Sequence, residues 1–218
     1  MSKKEEKLKG AVLTAFIDTT LEKEAFPLSV FKFCKDNDIE EKFFYKHFGS
    51  LDAVKGQIWE FFYDNAMGLL EKDATFENAS PKDKLLSFYF TFFEVLLLNR
   101  SYVLFSLSSH QSNRVKMSQL SKMRSSFKDF AEDLIDTGNA NKNESYLQHP
   151  PKIFSEGAWI QFTFLMKFWI NDTSVDFEKT DQAIEKSVQT AFDLFDNTPL
   201  GTLVDFGKFL WKEKFVFN

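Results

Sequence analysis

Cysteine occurs once in this chain, at Cys34, which excludes an intrachain disulfide. Glycine and proline are scarce as well, with 8 and 5 residues among 218, so the chain has few breakers. Arginine is confined to Arg100, Arg114 and Arg124. There is no glycine-rich phosphate loop, no Cys/His pair at metal-ligand spacing and no Gly-x-Ser-x-Gly nucleophile elbow, and His47, His110 and His149 are far apart. Without a nucleophile, acid–base or metal constellation, the expectation is a non-enzyme with no cofactor and no metal. Uninterrupted hydrophobic runs are also lacking: Leu85–Leu98 and Ile153–Ile170 contain Ser87, Glu94, Glu156 or Lys167 and fall short of a membrane span. The first residues, Met1 to Lys9, are charged rather than signal-like, which with the single thiol leads us to expect a soluble protein of the reducing cytoplasm.

What is abundant is ring surface. Phenylalanine alone supplies 28 residues and aromatics 17% of the chain, as expected of packed helices with bulky interior faces. At 25.4 kDa the chain fits one compact body plus a small appended domain. The net charge of −5 hides a pattern: residues 1–56 balance 10 lysines with 10 acids, whereas residues 100–128 hold 6 basic residues and no acid. The segments 57–99 and 129–218 are acidic.

Helical periodicity runs through the whole chain, and no strand alternation or repeat is visible. Leu8, Ala11, Val12, Ala15, Phe16 and Thr19 predict a first helix from Lys7 to about Leu21. Pro27 stops it. Two short helices follow, one through Val30, Phe33 and Cys34 and one from Glu40 to His47, separated by the turn-formers Asp36-Asn37-Asp38. Ser50 then caps a long helix with Asp52 in its first turn, and Ser80-Pro81-Lys82-Asp83 starts another through Leu98. A serine-rich helix between Arg100 and His110 comes next, then a buried stripe at Leu120, Met123, Phe127, Phe130 and Leu134. The polar run Thr137–Gln148 is expected to be a loop. Pro150-Pro151 opens a helix through Trp169 that is apolar nearly all round and should be covered on several sides. After a connection at Asn171–Val175, Ile184, Val188, Ala191 and Phe195 stripe a further helix, and Thr198-Pro199 opens a last amphipathic segment from Leu200 to Phe217.

Around the paired short helices the order is Ser29, Val30, Phe33-Cys34, a turn, Ile39, then Phe44-Tyr45-Lys46-His47-Phe48-Gly49-Ser50, Asp52, Ala53 and Val54. This run resembles the head of TetR-family transcriptional regulators, where an aromatic-Tyr-x-His-Phe sequence closes the recognition helix. The resemblance implies an all-α, TetR-like fold: a three-helix helix-turn-helix head (1–49) on a larger helical-bundle body (50–218) for ligand binding and dimerisation. It further implies that Ser29, Tyr45, Lys46 and His47 face the DNA backbone while Val30, Phe33, Cys34, Ile39, Phe44 and Phe48 pack the head. Lys42 and Phe43, in the usual small or basic lead-in, complete the candidate DNA-binding set.

The lead-in departs from the family: Glu40 and Glu41 precede Lys42, Phe31 stands in place of a common arginine, and Leu51 in place of a phosphate-contacting lysine. Two carboxylates at the start of the recognition helix would meet the duplex with like charge. A second resemblance lies further along. Phe168-Trp169-Ile170-Asn171-Asp172-Thr173-Ser174, with Thr180, is similar to coenzyme Q biosynthesis lipid-binding proteins, which share the TetR-like fold without a DNA role. It implies a lipid or isoprenoid ligand and a peripheral membrane contact through residues 200–217.

Phe88, Phe92, Tyr102, Phe105, Trp159, Phe162 and Trp169 are candidates to line a cavity for an apolar small molecule, or simply to fill the core. Arg100, Arg114, Lys116, Lys122, Arg124 and Lys128 make a solvated basic face or pair with an anionic ligand head group; the solvated face is the expectation. Cys34 is expected to be packed, with a thiol sensor as the alternative. The leading expectation is therefore a homodimeric, DNA-binding, ligand-responsive regulator. The rival is a lipid carrier that has lost DNA recognition.

Overall fold

Seryl caps and proline starts set the helix boundaries. In the computed structural model, which describes residues 3–108, 112–140 and 150–197, the chain folds as helices, and no strand occurs among the described residues. They are α1 (Lys3–Lys23), α2 (Val30–Asp36), α3 (Glu41–His47), α4 (Leu51–Leu70), α5 (Pro81–Leu97), α6 (Arg100–Ser106), α7 (Asn113–Ala140), α8 (Pro151–Asn171) and α9 (Glu178–Asn197). Ser29 Oγ accepts the Lys32 N–H at 3.4 Å and Ser50 Oγ the Ala53 N–H at 3.1 Å, satisfying donors that the first helical turn leaves open. At α5 the cap is reciprocal: the Asp83 N–H donates to Ser80 Oγ at 3.2 Å, and the Ser80 hydroxyl donates to the Asp83 carboxylate at 2.6 Å.

The helices sort into two compact units, Met1–Leu69 with Thr91–Ser126, and Leu70–Phe90 with Phe127–Asn218, so α5 and α7 are each shared between them. In the first unit α1 buries Val12, Leu13, Phe16, Thr19 and Thr20, while Leu8 stays 45% exposed, so the inward face is rotated from the one periodicity suggested. Phe26, after the end of α1, stacks on Phe16 at 6.1 Å and meets Phe105 of α6 edge-on at 5.1 Å. The Lys55 ammonium sits 4.1 Å above the same ring. Helix α4 approaches α7 closely at Gly56, where a methyl group would already touch the Gln119 backbone at 3.7 Å. Seven residues on, the Tyr63 hydroxyl donates to the Ser126 carbonyl at 3.1 Å, and the Ser126 hydroxyl donates to Glu60 at 2.7 Å.

In the second unit the core is a ring cluster centred on Phe127, with Phe88 at 5.3 Å, Phe162 at 5.2 Å, and Tyr89 and Trp159 each at 6.1 Å. Tyr89 is fully buried, and burial pushes its phenol well above the usual range. Gln161 links α8 to α9 by donating to the Ser187 hydroxyl at 3.0 Å. The α8–α9 connection contains a 3₁₀ turn, Val175–Phe177, in which Asp176 (φ 49°) and Phe177 (φ 57°) take left-handed backbone conformations that cost non-glycine residues energy.

Three sequence expectations are corrected. Helix α1 begins at Lys3 rather than Lys7. Helix α7 continues through Thr137 to Ala140, where a loop was expected, because the Thr137 hydroxyl returns to the Asp133 carbonyl at 2.8 Å and leaves the helical backbone intact. Helix α8 is not covered all round by the described residues: Phe154, Trp159, Phe162, Leu165, Met166 and Trp169 are buried, but Ile153, Ile160, Phe164 and Phe168 stay exposed. His110, His149 and the amphipathic segment 200–217 lie outside the described residues, as does the Phe195 side chain.

Candidate functional site

Helices α2 and α3 build the head around a turn that only a permissive backbone allows. Asp38 takes a positive φ of 54°, and the Asn37 side-chain amide ties the turn down by donating to the Phe33 carbonyl at 2.8 Å and to the Thr19 hydroxyl at 3.2 Å. Phe33, Cys34, Phe44 and Phe48 turn inward and are buried, with Phe44 4 residues from Phe48 on one face and the rings 5.5 Å apart. Val30 and Ile39 are half-buried. Burial, followed by the charge of Glu41, pushes the Cys34 thiol up, so it is protonated at neutral pH.

The six residues proposed to face DNA all belong to this substructure. Ser29 spends its hydroxyl on the α2 cap. Lys42, Tyr45 and Lys46 are exposed along α3; Phe43 and His47 are half-buried, with their rings 4.5 Å apart. The electrostatics are mixed. Glu40 and Glu41 are exposed on the same short helix, and Leu28 and Phe31 on the approach to it are 98% and 61% exposed. Lys46 Nζ donates to Glu5 of α1 at 2.5 Å, and the same carboxylate oxygen lies 3.3 Å from His47 Nε2. Glu5 was not legible as part of this site, because its link to Lys46 crosses 41 residues and the expected first helix began only after it, at Lys7.

The seven rings proposed to line a ligand cavity divide between the two units. Phe92, Tyr102 and Phe105 fall in the first, Phe88, Trp159, Phe162 and Trp169 in the second. All but the half-buried Phe105 are buried. In the second unit Phe88, Trp159 and Phe162 join the Phe127 cluster, whereas Trp169 meets Phe177 at 6.0 Å. In the first unit Tyr102 contacts Phe62 at 6.5 Å, and Phe62 contacts Trp59 at 5.8 Å. The Tyr102 hydroxyl, the Trp59 indole N–H and Gln119 Oε1 are buried and have no hydrogen-bond partner among the described residues. Gln119 is held there by donating its amide to the Ser106 carbonyl at 2.9 Å, one helical turn beyond Tyr102 on α6. Sequence reasoning missed Trp59 and Gln119, since their burial follows from the crossing of α4, α6 and α7.

Two open cavities lie on the second unit. One, of about 450 Å³, is lined by Phe164, Lys167, Phe168 and Lys179 at the α8–α9 end; the other, of about 440 Å³, lies between Leu86 on α5 and Gln189 on α9. Neither is lined by the seven rings. Of the basic segment, Lys128 pairs with Glu156 of α8 at 2.6 Å, and Lys122 is exposed. Beside the first cavity, Asp172 is buried and accepts from the N–H and hydroxyl of both Ser174 and Thr180, at 2.7 to 2.9 Å. These bonds, the Thr180 hydroxyl foremost, hold its carboxyl well below the usual carboxylate range.

The described residues are thus helical throughout their regular structure, with two short helices about a tight turn near the start and aromatic-cored helices after them. Residues 84–210, more than half of the chain, match the model of the tetracyclin repressor-like C-terminal domain, and the chain belongs to this TetR-like family of regulators. A comparison with curated proteins found no match. The Asp172, Ser174 and Thr180 residues, on which the sequence resemblance to coenzyme Q biosynthesis lipid-binding proteins was drawn, have a local use here, capping the start of α9. No single helix among the described residues is long and apolar enough to cross a membrane.

Proposed function

We propose that this chain is a homodimeric transcriptional regulator in which residues 1–49 form the DNA-binding head and residues 50–218 bind an apolar ligand and dimerise. It is read as a cytoplasmic non-enzyme. The observation that carries the proposal is the α2–α3 pair: two short helices about the Asp38 turn, with Phe33, Cys34, Phe44 and Phe48 inward and Lys42, Tyr45 and Lys46 exposed. A helix so mounted can enter a major groove, and a two-fold dimer presents two of them to successive half-sites.

Dimerisation is supported by α8. Ile153, Ile160, Phe164 and Phe168 are 47%, 61%, 52% and 36% exposed, and Gly157 in the same row has open space where a side chain would stand. Such a row on one helix favours burial against its own copy across a two-fold axis. Ligand binding is supported in the first unit by the unpartnered Tyr102, Trp59 and Gln119 groups beside aromatic walls, since a buried polar atom left unpaired costs about 1–3 kcal/mol that a ligand's polar end would recover. A ligand that binds one of two conformations better shifts the population and thereby DNA affinity. The test is salt-sensitive binding to DNA from the gene's own upstream region at low ionic strength, with and without hydrophobic candidates. Absence of binding under every condition sinks the reading.

A second reading has its own observation. Exposed Glu40 and Glu41, exposed Leu28 and Phe31, and the engagement of Lys46 by Glu5 favour a TetR-like lipid- or isoprenoid-binding protein without DNA recognition, using residues 200–217 at membranes. Native mass spectrometry showing copurified lipid, with liposome binding lost on truncation after Pro199, supports it; an empty protein indifferent to liposomes rejects it.

A further inference from the structure

Among the candidate DNA-facing residues, Lys46 and His47 share a partner. One oxygen of Glu5 accepts from Lys46 Nζ at 2.5 Å and stands 3.3 Å from His47 Nε2, without the alignment of a hydrogen bond to the imidazole. The His47 side chain is 9% exposed and Glu5 24%, against 66% for Lys46, so the carboxylate sits in a partly sheltered notch between α1 and α3. Glu5 is held there from its own side too, because an acid in the first turn of α1 is favoured by the helix dipole. On the same two helices, the Lys9 ammonium of α1 lies 5.9 Å over the Phe48 ring, and Lys42 is exposed on α3.

We infer that Glu5 is a built-in competitor of the DNA phosphate: its carboxylate occupies the place between Lys46 and His47 that a phosphate oxygen takes, so that DNA binds there against its charge or by displacing it. The inference rests on the DNA-binding reading above. The chemistry is direct, since carboxylate and phosphate are both anionic oxygen acceptors for the same ammonium. With Glu5 in place, phosphate shares the three donors of the Lys46 ammonium with a carboxylate and meets a like charge a few ångströms away. Glu5 adds its charge to Glu40 and Glu41, so a head with no arginine has its Lys46 engaged before DNA arrives. Residue 5 is thereby a determinant of DNA affinity, and movement of the start of α1 releases the recognition helix.

The experiment compares the full chain with Glu5→Gln and Glu6→Gln on duplex DNA from the upstream region, at about 50 mM salt and above. Glu6 is exposed and carries the same charge on the same helix turn, so it controls for net charge. Exposed ion pairs contribute at most about 1 kcal/mol, so E5Q should tighten binding roughly three- to fivefold and steepen the salt dependence, while E6Q stays within about twofold of the parent. In a Lys46→Gln background the gain from E5Q should shrink. Equal affinities for E5Q and the parent overturn the inference and leave the DNA reading standing. Equal gains in E5Q and E6Q overturn it as a net-charge effect. No binding by any of the proteins overturns it together with the reading on which it rests.

Discussion

Asp172 shows how much one carboxylate can organise. Four donors from Ser174 and Thr180 converge on its two oxygens across the α8–α9 connection, next to the left-handed Asp176 and Phe177. Because these bonds favour the ionised form, the folded-state pKa lies below the ordinary value of 3.8. The stabilisation is therefore complete above about pH 4 and is lost as the pH falls below that toward the folded value. Asp172→Asn turns one acceptor into a donor that faces an N–H or hydroxyl. Its thermal midpoint should drop by several degrees at pH 7, and the difference between its midpoints at pH 7 and pH 3 should be smaller than in the parent. An unchanged pH dependence would show that Asp172 carries none of the acid sensitivity. The residue was visible in the sequence only as part of a resemblance, because its donors are read from a turn whose backbone no periodicity describes.

At the scale of elements, starts were easier to read than ends and faces. Ser50 and the Ser80–Asp83 pair cap α4 and α5 at the places their sequence signals indicate, because a cap is a local hydrogen bond within 3 residues, whereas the cap that Ser29 gives α2 was not among the sequence expectations. Ser80→Ala should cost about 1 kcal/mol in a urea denaturation series, with the slope unchanged. The far end of α7 was misread because Thr137 looks like a turn residue, yet back-bonds to Asp133. The α7 stripe was legible, and its centre is where the second unit is most sensitive. Phe127→Ala removes the ring that Phe88, Tyr89, Trp159 and Phe162 surround, and a loss of about 3–5 kcal/mol is expected by the same measurement. A cost near that of an exposed truncation would mean that the cluster repacks around the gap.

For the whole molecule the decisive feature is the exposed row of α8. A helix apolar on nearly all sides must be covered by something, and among the described residues only one side is covered. In the proposed dimer Ile160 is central to the buried surface, so Ile160→Asp should convert a dimer into a monomer by sedimentation or light scattering without loss of helical content. A parent that is monomeric at micromolar concentration removes the dimer from the proposal. The same substitution should weaken DNA binding, since two heads on one duplex gain from their linkage.

By itself the sequence determined the helical class, the order of the helices through α9 and the caps at Ser50 and Ser80, because these follow from local hydrogen bonding and from the 3.6-residue period; the head's packing residues came from the family resemblance, and of them Phe33, Cys34, Phe44 and Phe48 are buried while Val30 and Ile39 are half-buried. Tertiary structure alone decided which polar groups meet. Glu5 reaches Lys46 across 41 residues, Gln119 points its amide at Ser106, and Glu60 finds Ser126, all through helix crossings that no local pattern encodes. The same crossings sort the seven candidate rings into two separate units, since side chains on a helix go where its neighbours are, and neighbours in space are set by packing rather than by sequence distance.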